Sequence, residues 1–456
     1  MKHFKPITKP HPFLYKDMQV NGDLKTIDAN QLHLFTINGK HFMFANDSSL
    51  LFEVSKDAFE FINGLQKNHS TMIDHSILYE WELMSQHNLF LLPPNKEAEE
   101  KKTVDTININ ICQCCNLSCK YCFADDGVYG GEPKYMDRTL LECIIKKFVS
   151  GIMKSGNNGN IVLFGGEPLL AYDLICTAVE LVKKLTAGIS QQVAIDIFTN
   201  ATLINKEFIR FLTKNTNVRL LISLDGPPSI NNRFRTSPSF GVAERVGQVI
   251  QELSKCISIS RIILRCTISD TEINLVERIE YFVSLGIESI VMDAAFCIGY
   301  NNIPRHEEIL RSITSQLPDI ANYLIRHPNI QVNLISEMTA RLLSPDINRG
   351  YRTSQCPAGT KYLAIDSDGY VFPCHFFVGD SDHKITHIAN GFVQNDISEM
   401  YGLKINEYFK CKNCSYSSLC EGFCPNKFRA LGSHFDEWAN VYCDFVNARI
   451  TILYIL

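Results

Sequence analysis

The chain has 456 residues, a formal net charge of −5 and 45% hydrophobic residues, as expected for a globular protein of two or three domains. The small negative charge and the lack of a basic stripe argue against a nucleic-acid surface. No run of about 18 apolar residues predicts a membrane span, and no apolar signal-peptide core follows the first methionine. Seventeen cysteines without a secretion signal therefore indicate metal sites in a reducing, cytoplasmic compartment rather than disulfides.

The first hundred residues predict an arm, a small domain and a linker. Residues 1–30 have no clear period and are predicted to be an N-terminal arm. Alternating apolar residues, a tight Asn-Gly turn and a third short apolar run then predict three strands, and Ser55 is placed to cap the helix that follows. Residues 31–94 are therefore predicted to form a small domain, and the charged stretch 95–104 a linker.

The middle of the chain predicts an α/β domain at 105–300. Short apolar runs alternate there with helical periods, a pattern typical of a parallel barrel or partial barrel with its site at the carboxyl ends of the strands. The predicted strands span 106–111, 160–164, 194–198, 219–224, 261–267 and 289–295. The predicted helices span 138–154, 171–186, 205–214, 241–256 and 273–285.

Three cysteines, Cys115, Cys119 and Cys122, follow the end of the first predicted strand. Three thiolates with one position left open suit an iron–sulfur cluster that must hold a substrate on its fourth iron. A structural zinc site, or a cluster that only stores electrons, would need a fourth protein ligand nearby. The upstream Cys112 and Cys114 are interpreted as packing residues, and a set of buried free cysteines is the alternative for the whole stretch.

The segment from Cys115 to Cys122 resembles the CxxxCxxC signature of radical S-adenosylmethionine (SAM) enzymes, with Tyr121 in the usual aromatic position. The resemblance implies a [4Fe–4S] cluster on Cys115, Cys119 and Cys122 that chelates the amino and carboxylate groups of SAM. It also implies reductive cleavage of SAM to a 5′-deoxyadenosyl radical that abstracts a substrate hydrogen, with a reductant such as flavodoxin or ferredoxin.

Later strand ends carry further motifs similar to those of this family. Gly165, Gly166, Glu167 and Pro168 match its GGEP motif, which contacts the methionyl amino group of SAM. The remaining predicted cofactor-binding residues are Thr199 and Asn200, Ser223 and Asp225 in a string suited to ribose hydroxyls, Arg235, and Arg265, for which a structural salt bridge is the alternative.

The last hundred residues contain a second set of cysteines whose spacing resembles the SPASM extension, which carries two auxiliary [4Fe–4S] clusters. By this resemblance the distal cluster is closed by Cys411, Cys414, Cys420 and Cys443. The proximal cluster is held by Cys356, Cys374 and Cys424. A zinc ribbon is the alternative for the closely spaced pairs.

Two departures from the related sulfatase-maturating enzymes fall in the proximal set. No fourth cysteine follows Cys356, so the fourth iron is predicted to be open or closed by a different ligand, and an open iron could bind a substrate thiolate. His375 stands where those enzymes place a general-base aspartate. It is a candidate catalytic base, and equally a donor to the cluster or a packed residue.

Together with these resemblances, the sequence predicts an α/β protein of several parts. A partial (β/α)6 TIM-like radical SAM barrel spans 105–300, a helical bridge 301–350, and a cysteine-rich SPASM domain 351–456. Residues 31–94 resemble the winged-helix peptide-recognition domain of peptide-modifying members, in which a leader peptide adds a strand to the sheet edge. A small packing domain that steadies the barrel is the alternative.

The functional hypothesis is SAM-dependent modification of a ribosomally made precursor peptide with a leader, most simply by a thioether cross-link. The alternatives are formylglycine formation on a sulfatase, and carbon–carbon cross-linking or epimerisation of a peptide. Outside enzymes, the alternatives are an iron–sulfur electron carrier or a zinc adaptor.

Overall fold

The chain is described here from a computed structural model. The described residues are 4–6, 32–37, 39–45, 50–66, 103–272, 274–296, 305–343, 356–403, 410–411, 414, 416–417, 419–420 and 422–453. Of the predicted small domain, residues 31, 38, 46–49 and 67–94 lie outside these residues, as does the whole predicted linker apart from 103–104.

A four-stranded antiparallel sheet forms the N-terminal unit, in the order β1-β4-β3-β2. The strands are β1 (Phe4–Pro6), β2 (Leu32–Ile37), β3 (Lys40–Ala45) and β4 (Leu50–Val54). Helix α1 (Lys56–Gln66) follows as expected, because Ser55 Oγ accepts the Ala58 N–H at 3.1 Å. Strand β1 was not expected, since the sequence predicts only an arm over those residues.

The rest of the chain alternates strands and helices. The strands are β5 (Thr106–Gln113), β6 (Ser118–Cys119), β7 (Lys134–Tyr135), β8 (Gly159–Gly165), β9 (Val193–Thr199), β10 (Val218–Ser223), β11 (Arg235–Thr236), β12 (Ile262–Ile268), β13 (Ser289–Ala294), β14 (Gln331–Val332), β15 (Tyr362–Ile365), β16 (Tyr370–Phe372) and β17 (Thr386–His387). The helices are α2 (Arg138–Ser155), α3 (Tyr172–Leu185), α4 (Lys206–Lys214), α5 (Pro228–Phe234), α6 (Val242–Ser254), α7 (Leu275–Ser284), α8 (His306–Arg326), α9 (Asn333–Leu343), α10 (Ile397–Met400), α11 (Pro425–Leu431) and α12 (Phe435–Leu453).

The central sheet is mostly parallel, which confirms the predicted α/β fold. Its strand order is β14-β13-β12-β10-β9-β8-β5-β15-β16-β17, and β7 pairs with β5. All six strands predicted between 105 and 300 are present and parallel to one another, and the short β7 pairs antiparallel with β5. Strand β15 from the C-terminal region pairs in parallel with β5, so that region extends the same sheet and covers an edge that would otherwise expose unpaired backbone.

Local sequence signals set the helix ends between these strands. Asp137 accepts the Leu140 N–H to begin α2, and Gly156, with φ of 76°, ends it in the left-handed conformation that favours glycine. Asn205 and Asn274 begin α4 and α7 by the same side-chain capping. Each helix returns the chain to the next strand, so the loops that follow the strands gather at one edge of the sheet.

The N-terminal sheet packs onto the main body. Phe44 is fully buried within the large core of the central domain, and Phe35 and Phe42 pack against that core. On β2, the His33 ring lies 4.5 Å from the Tyr416 ring and is hydrogen-bonded to its hydroxyl. Among the described helices none is long and apolar enough to cross a membrane.

Candidate active site

The loop after β5 places Cys115, Cys119 and Cys122 close to one another. Burial raises the pKa of the Cys115 thiol to about 12, with smaller contributions from other groups that include Cys119 and Cys122. Burial raises the pKa of Cys119 to about 11, and Cys122 contributes. The pairing of Cys119 with Arg235 between β6 and β11, and the 3.0 Å bond from the Cys122 N–H to the Cys119 carbonyl, hold this geometry.

Two glycines after β8 let their backbone lie against the cysteine loop. A Cβ on Gly165, whose φ is 143°, would lie 2.0 Å from the Cys112 carbonyl oxygen, and one on Gly166 would lie 2.1 Å from the Cys114 carbonyl oxygen. The atoms nearest to these two positions belong to the cysteine loop, so only residues without a Cβ fit there. The glycines therefore fix the loop against β8.

Glu167 joins the ends of two strands and is fully buried. Its carboxylate accepts the Thr199 hydroxyl at 2.7 Å, the Asn200 N–H at 2.7 Å and the Leu169 N–H at 3.0 Å. Burial raises the pKa of Glu167 to about 7, and these three hydrogen bonds oppose the rise. Pro168 is the first residue of a short 3₁₀ helix (Pro168–Ala171), and Glu167 caps its start.

Asp225 holds a second buried network behind the cysteine loop. The Arg235 Nε donates to its Oδ2 at 2.9 Å, the Thr267 N–H donates to its Oδ1 at 2.8 Å, and the Tyr121 hydroxyl donates to it as well. The Arg235 guanidinium also lies 5.3 Å from the centre of the Tyr121 ring. Asp225 is only 1% exposed, and each of these hydrogen bonds joins it to another group of the protein. The predicted contacts of Asp225 and Arg235 with the cofactor stay predictions.

Of the remaining predicted cofactor residues, Ser223 ends β10 and is half-buried. Arg265 on β12 donates to Asp293 at 2.7 Å, in an ion pair whose two side chains are 37% and 53% exposed. Its guanidinium also lies over the Phe198 ring. The Asn200 amide lies 3.9 Å from the Cys115 sulfur. The motif residues therefore gather along the carboxyl ends of β8, β9, β10 and β12.

The donors on the cysteine loop fit a [4Fe–4S] cluster. The Cys122 sulfur accepts backbone N–H groups of the turn after it, and the Arg235 Nη1 lies 3.9 Å from the Cys119 sulfur, contacts that favour thiolates. Within the described part of the chain, no three or more His, Cys, Asp or Glu side chains are arranged to hold a single metal ion. A four-iron cluster binds each thiolate to a different iron and so needs a wider spacing.

Three C-terminal cysteines form the first of two further groups. Burial raises the pKa of Cys356 to about 11, with the nearby Cys424 and Asp396 contributing. Burial and both partner thiols raise the pKa of Cys374. Gly359 brings the Asp396 segment close, because the Asn395 N–H donates to its carbonyl at 2.7 Å and a Cβ there would collide with the Asn395 carbonyl.

The other group contains the four cysteines assigned to the distal set. Burial raises the pKa of Cys420 to about 12, and Cys414, Cys411 and Cys443 contribute to the rise. Cys443 comes from α12 and the others from the loop before α11. Cys424 follows Cys420 by four residues, yet it is the neighbour of Cys356 and Cys374.

His375 lies beside the cysteine loop in an aromatic enclosure. Its Nδ1 is 2.9 Å from the Tyr362 hydroxyl, and the rings of Phe123, Phe164 and Phe376 lie within 6 Å of its own. Burial lowers the pKa of His375 to about 4, and the charge of Arg265 lowers it further in the same direction. The imidazole is therefore neutral near pH 7.

Sequence reasoning missed a buried polar cluster at the start of α8. The Trp438 indole N–H donates to His306 Nδ1 at 2.9 Å, and Lys427 Nζ lies 2.8 Å from His306 Nε2. Burial lowers the pKa of both His306 and Lys427. No sequence signal marks this cluster, because His306 lies more than a hundred positions from Lys427 and Trp438 and none of the three belongs to a motif.

Comparison with known proteins identifies the central domain. Residues 109–279 match the family model of the radical SAM superfamily. A cysteine-type anaerobic sulfatase-maturating enzyme of Clostridium novyi is 27% identical over 358 residues, which is 72% of this chain and 90% of that enzyme. The chain therefore contains a radical SAM domain and is homologous to these enzymes.

Solved structures show the same fold. The structure of anSMEcpe with bound AdoMet has a TM-score of 0.62 at 20% identity and covers 76% of this chain and 98% of its own. Streptococcus suis SuiB bound to the precursor peptide SuiA has a TM-score of 0.53 at 15% identity and covers 88% of this chain and 96% of its own. At these identities the likeness concerns the fold.

Proposed function

We propose that this radical SAM enzyme, a relative of the sulfatase maturases and peptide modifiers, acts on a ribosomally made precursor peptide and cross-links it through a thioether. The observation that carries the proposal is the proximity of two cysteine groups. The ring of Phe123, which follows Cys122, contacts the ring of His375, which follows Cys374. The two cysteine groups therefore lie close to each other. A peptide held between them would lie near both.

The Cys115, Cys119 and Cys122 thiolates would hold the SAM-binding [4Fe–4S] cluster. That cluster, when bound, supplies the electron that cleaves SAM to the hydrogen-abstracting 5′-deoxyadenosyl radical. Gly165 and Gly166 would offer main-chain carbonyls to the SAM amino group, since the Glu167 carboxylate is already committed to Thr199 and Asn200. Ser223 would face the ribose, and Arg265 could exchange its exposed partner Asp293 for the SAM carboxylate.

The two C-terminal cysteine groups would hold auxiliary [4Fe–4S] clusters that accept the second electron of the oxidation. The distal group has four thiolates and would be closed. The proximal group of Cys356, Cys374 and Cys424 has three, which leaves room for a peptide cysteine or for the nearby Asp396 carboxylate. His375 is the candidate group to receive the proton that the peptide loses.

The N-terminal sheet would hold the leader segment of the peptide. It has the three strands and following helix expected of a peptide-recognition unit, and it packs on the main body through Phe35, Phe42 and Phe44. Added strands at such sheets bind through main-chain hydrogen bonds. A flavodoxin or ferredoxin would reduce the cluster, and the cytoplasm is the compartment in which such clusters persist.

Formylglycine formation is the second candidate, favoured by the homology to sulfatase maturases over most of their length. His375 weighs against it, because an imidazole stands where those enzymes are expected to place a general-base aspartate.

The two candidates differ in the product that they leave on cysteine. The test is anaerobic incubation of the reconstituted enzyme with SAM, a reductant and a cysteine-containing peptide encoded beside its gene, followed by mass spectrometry. A thioether removes two hydrogens and blocks alkylation of the cysteine, whereas formylglycine leaves an aldehyde that reacts with hydrazides. A peptide unchanged while SAM is cleaved would reject both.

A further inference from the structure

One edge of the N-terminal sheet is filled by the chain's own first residues. Strand β1 pairs antiparallel with β4 in the register Phe4 with Val54, Lys5 with Glu53 and Pro6 with Phe52. Without β1, β4 would be the outer strand of the sheet β4-β3-β2. An extended segment is thus already bound where an added strand would join.

The opposite edge of the sheet is a poorer acceptor. Its outer strand, β2, carries His33 and Phe35, which contact Tyr416 and the main core respectively. A strand added there would have to fit beside the body of the protein. The β4 edge is therefore the accepting edge.

The self-pairing at this edge is short. Only three residues of β1 take part, and Pro6 has no N–H to donate. Strand β4 has five residues, so Leu50 and Leu51 fall outside the register with β1. An incoming peptide without proline could pair along the whole of β4 and would gain main-chain hydrogen bonds that β1 does not make.

Because β1 is part of the same chain, this short strand competes effectively with an added peptide for the edge of β4. Residues 7–31, a stretch of 25 residues, join β1 to β2. Since β1 and β2 belong to one chain, the segment competes intramolecularly, at an effective concentration of about 1 mM. If the isolated segment binds with a dissociation constant of about 0.1–0.5 mM, it lowers the apparent affinity of a competing peptide by about three- to tenfold.

We infer that the β4 edge is a peptide-binding site whose resting occupant is the chain's own Phe4–Pro6 strand, which an extended segment of the precursor peptide displaces. The partner is identified by chemistry: an extended backbone with free N–H groups. The identity of that partner rests on the proposed function. The self-occupied edge itself rests on the strand register alone.

The probe is a fluorescent synthetic peptide of residues 1–8, measured by anisotropy against the full-length chain. In the double variant Phe4→Pro/Lys5→Pro, the internal strand loses two N–H groups, so the probe should bind about three- to tenfold more tightly than to the wild type. The matched variant Ile7→Pro/Thr8→Pro falls outside the β1 register and should bind as the wild type does. Equal affinity for all three proteins, or no saturable binding to the double variant, would overturn the inference.

Two modified probes test whether binding uses strand pairing. In an antiparallel pair, alternate residues direct their N–H groups to the partner strand. N-methylation of either Phe4 or Lys5 should therefore abolish binding, while methylation of the other should leave it unchanged. Loss in both, or in neither, would exclude the β4 edge. Because the assay needs neither SAM nor clusters, its failure leaves the proposed reaction standing, and a failed reaction leaves this result standing.

Discussion

Asp225 is a motif residue whose carboxylate is engaged by other groups of the protein. The string Ser-Leu-Asp-Gly-Pro located it correctly at the carboxyl end of β10. Its partners Tyr121, Arg235 and Thr267 come from three other segments, and no local pattern specifies that they meet. The sequence can therefore place the motif, while the role of its carboxylate depends on tertiary contacts.

Arg235→Met should be strongly destabilising. It leaves the Asp225 carboxylate buried without its cation, a change that costs about 3–5 kcal/mol. The control is Lys146→Met, since Lys146 and its partner Glu142 are both exposed (54% and 36%), and the loss of such a surface pair costs about 1 kcal/mol or less. Urea unfolding of the apo-protein measures both. Equal losses in the two variants would contradict the buried-network account.

His306 should make stability depend on pH. Burial and Lys427 hold its pKa below the usual 6.5, so the unfolded chain binds a proton that the folded chain refuses. The contribution of neutral His306 to the free energy of unfolding is present above pH 6.5 and is lost as the pH falls below that value. Between pH 7.5 and 5.5 the free energy of unfolding should therefore drop more in the wild type than in His306→Asn. Parallel pH profiles of the two proteins would show that His306 is not buried in its neutral form.

At the scale of elements, the regular part of the fold is predictable. Strand β9 was expected at 194–198 and spans Val193–Thr199, because a buried parallel strand is a continuous apolar run between clear turn signals. Two pairings were not predictable. Strand β1 lies in a proline-rich arm without periodicity, and the parallel pairing of β15 with β5 joins segments about 250 residues apart.

Gly166→Ala should displace the cysteine loop, because the new Cβ would lie 2.1 Å from the Cys114 carbonyl oxygen. We expect a folded protein that binds little or no cluster at Cys115, Cys119 and Cys122. Iron content and the visible absorption of the reconstituted protein measure this.

Gly151→Ala is the matched control, since nothing lies within 4 Å of its Cβ position in α2. It should keep its cluster and gain about 0.5–1 kcal/mol from higher helix propensity. A fully loaded Gly166→Ala protein would show that the loop tolerates movement away from β8.

At the scale of the whole molecule, ten of the seventeen cysteines fall into three groups, contributed by the loop after β5 and by the C-terminal region. Three four-iron clusters predict about twelve irons per chain, and the triple variant Cys115→Ala, Cys119→Ala, Cys122→Ala should retain about eight. Replacing Cys143 and Cys176, which lie on helices α2 and α3, should leave the full number. Retention of about four irons, or the presence of zinc, would contradict the three-cluster proposal.

The central claim is that the radical made at the Cys115 loop takes a hydrogen from a peptide carbon. The most direct measurement uses a precursor peptide produced with deuterated amino acids, incubated with the reconstituted enzyme, unlabelled SAM and reductant in ordinary water. Mass spectrometry of the 5′-deoxyadenosine should show one deuterium transferred from the peptide. The peptide itself should have lost that deuterium and one further hydrogen. Unlabelled 5′-deoxyadenosine beside an unchanged peptide would contradict the claim.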